Sequence, residues 1–540
     1  MTANPDFPLP RSVKPTAYDV TLHPRITDAQ YNGSVEIDIT CQEPTRVITL
    51  HAHEQININD VKIKNIENNI EITNISRNST NETIFISVEQ ELEVGVSYKL
   101  YFVFNGPLQP DDKFYRPDSD HHIGGLISSN IRTPVSTEER WYVRIAMVPK
   151  TLRRVFPCFD EPSFKATFKI SITHGNNMSA TSVMPIESSE LVEDDLVSDH
   201  FLATPPLSTS SISVLVFDFE TNTTMNANTI SGDVSVNFFN RQEAHLIKSP
   251  HSTIHTTVKI LEYLEDYFKV PYPLSKLDIV GVPNLYYQTA SSSLGLVTTL
   301  EYFLNEGSDA TGHELCNQWF KHIITPEKWE LFNITDILCD YMLINIRNKG
   351  IKMSPYYMQK GDLYNMFASS FKSQVFWDSY DKLRGTWFLE MLNSSLTEKT
   401  MQTALGNLIK NNIYSTYSLD ILWEEISKQA YADGTLSETI SVQNIVQSWL
   451  KNQRFPVLTV TRNYDENTAQ LQQHMFYHNS SHKLTEAEQE VIWSIPIIYI
   501  SKTEDTTNMV LPVIWMTEKK MVISSLPDAD SFIIVNPTDS

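Results

Sequence analysis

His313, Glu314 and Asn317 fall in the run Gly312–Phe320, which reads G-H-E-L-C-N-Q-W-F. In the metal-site pattern H-E-x-x-H, two imidazoles one helical turn apart hold a zinc ion on one face, and the glutamate beside the first takes a proton from the bound water. This run keeps His313 and Glu314 and places Asn317 where the second imidazole belongs. A neutral imidazole nitrogen binds zinc well, whereas an amide oxygen is a hard, weak donor better suited to calcium or magnesium. The run has the outline of a hydrolytic metal centre with one ligand position changed; taken alone, it also reads as an ordinary surface turn of helix.

The elements that must hold these residues can be read from periodicity. From about Val13 to Asp218 short runs alternate apolar and polar residues, as in Ser34–Thr40 and Lys99–Phe104, the pattern of an all-β domain. From about Phe219 to Arg454 helical patterns dominate, for example Thr256–Leu264 and Ile440–Trp449. A chain of 540 residues is long enough for about three or four domains. The net charge of −23 argues against nucleic-acid binding and against docking on an anionic membrane. No stretch approaches the roughly twenty apolar residues of a membrane span, and Met1–Asp6 carries no signal-peptide core. The four cysteines, Cys41, Cys158, Cys316 and Cys339, imply no disulfide framework and suit small buried apolar positions.

Several longer runs resemble the aminopeptidase N family of zinc metallopeptidases, the gluzincins. Leu9–Val20 is similar to the family's L-P-x-x-V-x-P-x-x-Y-x-L, and Thr49–Ala52 to its I-x-L-H-A. Arg153–Pro162, R-R-V-F-P-C-F-D-E-P, matches the signature A-R-R-x-F-P-C-F-D-E-P almost residue for residue. Lys328–Met342 resembles W-W-D-D-L-W-L-N-E-G-F-A-S-Y-M, the segment that supplies the third zinc ligand nineteen positions after the second; from Asn317 that position is Asp336. Aspartate can ligate zinc, but it is one methylene, roughly 1.5 Å, shorter than the family's glutamate, so a geometry built for glutamate is expected to be missed.

The resemblance implies an α+β multidomain chain with three parts: an N-terminal β-sheet saddle over 1–218, a thermolysin-like domain over 219–454, and a small C-terminal β-sandwich over 455–540. Phe455–Arg462 resembles the start of the family's sandwich, Y-P-V-V-T-V-x-R, and the family's helical lid domain is expected to be missing. The resemblance also implies carboxylates around the substrate's amino terminus, because a buried ammonium needs compensating charge. The family's Q-x-E-P reads Ala146-Met147-Val148-Pro149 here, so Val148 stands where an acid is expected. In the place of G-A-M-E-N lies Thr289–Ser293, and either Ser291 or Ser292 matches the glutamate. Tyr380-Asp381-Lys382 resembles Y-x-K-G, whose tyrosine stabilises an oxyanion; an ordinary buried tyrosine at a helix start fits the same residues. Cys316 offers a thiolate three residues after His313, but the family has a small packing residue there, and its direction is wrong for a ligand.

These changes converge on one cleft and predict a non-peptidase homologue without tightly bound zinc, in which Glu314 and Tyr380 keep vestigial roles and His313, Asn317 and Asp336 are ligand positions in name. It would act through a protein or peptide ligand, possible homodimers included. The alternative is an active zinc aminopeptidase with altered ligands. Sequons at Asn32, Asn74, Asn78, Asn81, Asn177, Asn222, Asn393 and Asn479, together with the family, suggest an extracellular or cell-surface glycoprotein, while the lack of a leader or anchor in the given chain leaves the cytoplasm open. Asn333 begins a further sequon inside the expected ligand helix, where a glycan is expected to have no room.

Overall fold

The structure, a computed structural model, describes residues 8–65, 68–110, 126–131, 140–145, 149–193, 195–219, 221–241, 251–282, 285, 289–301, 304, 309–353, 374–450, 454–476, 485–501, 513–524, 526–527 and 531–536. Its chain forms two compact units, one of residues 1–376 with 409–417 and one of residues 377–408 with 418–540. The architecture is α+β: a β-rich N-terminal domain followed by a region where helices pack on a mixed sheet, then a small β-structure.

Strand β1 (Val13–Arg25) shows why the N-terminal part is a sheet. Its apolar residues alternate with polar ones, and Tyr18, Val20 and Leu22 are buried while Lys14, Asp19 and Arg25 face solvent. The register with β2 (Gln30–Cys41) slips between Pro15 and Ala17, where proline lacks the N–H that the ladder needs. β1 also pairs in parallel with β3 (Thr167–Gly175), placing it inside an eight-stranded sheet.

The run Arg153–Pro162 is a buried knot in this domain. Arg153 Nε donates to Asp160 Oδ2 at 2.8 Å, and Thr209 Oγ1 donates to Asp160 Oδ1 at 2.7 Å. Burial pushes the Asp160 carboxyl up, but Arg153, His51 and Thr209 outweigh it and hold it below the usual carboxylate range. Arg154 donates to Glu82 Oε1 at 2.7 Å, and Cys158 exchanges backbone hydrogen bonds with His51. The run therefore fixes packing, which agrees with its independence from the metal-site residues.

Residues 221–300 carry more strand than their helical patterns suggest. Gly232–Asn240 (β4), Lys276–Val282 (β5) and Leu296–Leu300 (β7) run parallel, with Ala290–Ser293 (β6) antiparallel at one edge and Thr221–Thr229 antiparallel at the other. Leu277–Val282 is buried throughout, so this strand lacks the period-two signal. Tyr142, Leu215 and Phe217 of the N-terminal domain pack with Val280, Val282 and Leu296 of this sheet in one apolar core. On the sheet lie helix α1 (His251–Phe268) and helix α2 (Asp309–Asn317), followed by α3 (Asn333–Asn348). In the second unit, Pro456–Asn463, Thr468–Met475 and Lys520–Ile523 form a sheet over a core that includes Leu471, Trp493, Ile495 and Met516.

Asn32, Asn74 and Asn177 are exposed. Asn333 differs from expectation: it is the first residue of α3 and faces solvent, because the helix buries Ile334, Thr335 and Leu338 instead.

Candidate functional site

Helix α2 is buried along its whole length, and its close approach to α3 requires Gly312. A Cβ at Gly312 would lie 2.9 Å from Leu343 Cδ2. Arg347 near the end of α3 pairs with Asp309 at the start of α2, tying the two helices at a second point. After Asn317 the backbone widens into a π-helical turn over Gln318–Ile323, which carries His322 inward.

The two helices bring His313 against the acids of α3. Its Nε2 is 3.2 Å from Asp336 Oδ1, and its Nδ1 is 3.1 Å from Asp340 Oδ1. Asp336 and Asp340 are one turn apart on one face, so both can clasp a single ring. A neutral imidazole donates from one nitrogen only, and the double clasp is complete when both carry protons, the form that binds no metal.

Glu314 lies in a separate, fully buried chain of hydrogen bonds. Ser292 Oγ donates to Glu314 Oε2 at 2.5 Å and sits 3.1 Å from His322 Nε2, and His322 Nδ1 is 3.0 Å from Ser211 Oγ. Burial, with Lys321 and Lys165 nearby, holds the His322 ring well below its usual pKa, so it is neutral. With the Ser292 proton given to Glu314, the order follows: His322 Nε2–H donates to Ser292, and Ser211 donates to His322 Nδ1. Asn317 Nδ2 donates to the same Glu314 oxygen at 3.2 Å, while Asn317 Oδ1 lies 3.4 Å from Cys339 Sγ. Gln318 accepts from Gly295 N at 2.9 Å and donates to Ser293 O at 3.1 Å, which fixes the β6–β7 turn against α2.

The fit of these residues to zinc can be judged from the donors. The 3.2 Å between His313 and Asp336 is a hydrogen-bond distance and also about that between neighbouring corners of a zinc tetrahedron, roughly 3.3 Å. Asn317 decides the matter: both ends of its amide are engaged, one by Glu314 and one by Cys339, and neither is a strong zinc donor. One imidazole and one carboxylate remain, short of the three strong ligands that such a site uses. Among the described residues no group of three or more His, Cys, Asp or Glu side chains is arranged to hold a metal. The residues present do not fit the ion.

The structure brings together His313 with Asp336, and Glu314 with Asn317 and Ser292. Asp336 reaches His313 in spite of its shorter side chain. Ser292, not Ser291, points at Glu314; Ser291 projects from the other face of β6, its hydroxyl buried without a hydrogen-bond partner among the described residues. Cys316 is buried, as is Cys339 on α3. Tyr380 lies in the helix Gln374–Leu396, with its side chain outside the described residues. Val148 lies outside them altogether. Asp340, His322 and Ser211 were not singled out by the sequence. Only Asp340 left a signal there, its spacing of four from Asp336.

Residues 14–210 match the Peptidase M1 N-terminal domain, and residues 252–449 match the Peptidase family M1 domain. The chain is 25% identical to thyrotropin-releasing hormone-degrading ectoenzyme of Homo sapiens, over 94% of this chain and 49% of that protein. It is 26% identical to endoplasmic reticulum aminopeptidase 1 of Homo sapiens over 93% of this chain and 56% of that protein, and 25% identical to endoplasmic reticulum aminopeptidase 2 of Bos taurus over 91% and 55%. It thus spans about half the length of the curated relatives it matches. The signature knot, the α2–α3 pair and both domain matches lead to one conclusion: the chain belongs to peptidase family M1, the metallopeptidase family of aminopeptidase N.

Proposed function

We propose that this chain is a non-peptidase member of family M1 that acts by binding a protein or peptide rather than by cleaving one. One observation carries the reading. The residue at the second ligand position, Asn317, hydrogen-bonds through its amide to Glu314, the residue that would serve as general base. Glu314 is further engaged by Ser292, which stands near where the family places an amine-binding acid. A base held by two buried donors is poorly placed to take a proton from water. The exposed sequons and the relatives, named as an ectoenzyme and as endoplasmic reticulum enzymes, support a location in the secretory pathway or outside the cell. No helix among the described residues is long and apolar enough to cross a membrane.

The test pairs metal content, by elemental mass spectrometry, with hydrolysis of a panel of aminoacyl fluorogenic amides by the wild-type chain and by Glu314→Gln. The expected result is sub-stoichiometric zinc and no difference between the two proteins. Stoichiometric zinc with turnover abolished in the variant would establish the alternative, a zinc aminopeptidase with altered ligands.

A further inference from the structure

A cavity of about 490 Å³ in the N-terminal β-domain shares no lining residue with the α2–α3 site, and its size is within the roughly 300–1,000 Å³ of small-ligand sites. The end of β1 and the turn after it supply His23, Arg25 and Thr27, the end of β3 supplies His174, and Met178 and Leu196 add apolar surface. One wall is fixed: His174 is buried, with Nδ1 2.8 Å from Gly175 O and Nε2 2.9 Å from Asp199 Oδ2. Burial, with Arg25 beside it, holds the His23 ring below its usual pKa, so near pH 7 it is neutral and offers one donor and one acceptor.

Asn32 also lines this cavity. It stands on β2 opposite His23 of β1, is exposed, and opens the sequon Asn32-Gly33-Ser34. A second sequon begins at Asn177, beside Met178 of the lining. Two segments remote in sequence thus bring sequons to one cavity. The sequons at Asn74 and Asn78 differ. Neither residue lines it, and Asn78 Oδ1 accepts from the backbone N–H groups of Thr80 at 3.0 Å and Asn81 at 3.3 Å.

We propose that Asn32 carries an N-linked glycan whose innermost N-acetylhexosamine ring is seated in this cavity. In the attachment, Asn32 Nδ2 forms a bond to the anomeric carbon of a lipid-pyrophosphate-linked oligosaccharide, the anomeric C–O bond to the pyrophosphate breaks, and one amide proton is lost to water. His23, Arg25 and Thr27 then meet the ring's hydroxyls and acetamide, while Met178 and Leu196 take its apolar face. The tether makes these contacts intramolecular, so groups too weak to hold a free sugar hold this one. Seating covers the turn after β1 and the end of β3, which an unseated glycan leaves open to water. Its occurrence in cells rests on the secretory location proposed above; the fit of the ring to the cavity does not.

The test expresses the full chain in mammalian cells behind a supplied secretion signal, so that a failed fit is told apart from a failed location. Glycopeptides are mapped by mass spectrometry. Amide hydrogen exchange is then compared among the wild type, Ser34→Ala, which removes the sequon and keeps Asn32, and Asn32→Gln. The expected result is an occupied Asn32, with exchange at residues 25–28 and 174–178 about tenfold slower in the wild type than in either variant and the rest of the chain unchanged. An unmodified Asn32, or equal exchange in all three proteins, would overturn the proposal.

Discussion

At the scale of single residues, Asn317 and Ser292 carry the change. In the H-E-x-x-H pattern the position of Asn317 would present a ring nitrogen to a metal; here the amide turns to Glu314 and Cys339. Ser292 is the hinge of the buried chain, since its hydroxyl accepts from His322 and donates to Glu314. Removing it leaves two buried partners unsatisfied, each costing about 1–3 kcal/mol. Ser292→Ala is therefore expected to lower the unfolding free energy by at least about 1 kcal/mol in urea titration, with the zinc content unchanged. A neutral result would mean that a water replaces the hydroxyl without cost and that the chain is not a structural unit. The substitutions themselves were legible in the sequence. Their partners were not, because Ser211, Ser292 and His322 come from three distant segments that only folding brings together.

Among the elements, α2 and α3 fix the site and the knot around Arg153 fixes the domain that faces them. Lys165, just past the knot, reaches the segment after α2 and donates to Thr325 Oγ1 at 2.6 Å. Its pKa is lowered by burial from the ordinary 10.5 to about 7. Between pH 7 and 10.5 the unfolded chain then binds more protons at this position than the folded one, so stability rises with pH across that window. Lys165→Met removes the term. The variant's gain in unfolding free energy over wild type is expected to be larger at pH 7 than at pH 9.5, and equal gains at both would show that the folded lysine titrates near its ordinary value. The β-domain was readable from period-two patterns such as that of β1. The sheet over residues 221–300 was not, because strands buried on both faces lose their alternation, as Leu277–Val282 does.

For the whole molecule, two compact units built from one chain make the metal question one of stability as well as of catalysis. A ligand that binds only the native state raises the unfolding midpoint by mass action. With the donors around Asn317, heating the chain with and without 1,10-phenanthroline is expected to give midpoints within about one degree of each other, whereas a clear fall with the chelator would mean that a bound metal holds the fold. The sequence by itself determined the family, the β-domain, the two helices of the site and the residue types that stand at positions 148, 292 and 317, because these are properties of residue type at fixed spacing along one segment. Only the tertiary structure decided that His313 is clasped between Asp336 and Asp340, that Ser292 rather than Ser291 engages Glu314, that Asn333 is exposed, and that Cys339, more than twenty positions from Asn317, reaches its amide oxygen. The direction of a side chain depends on which elements pack against its own, and no local pattern encodes that.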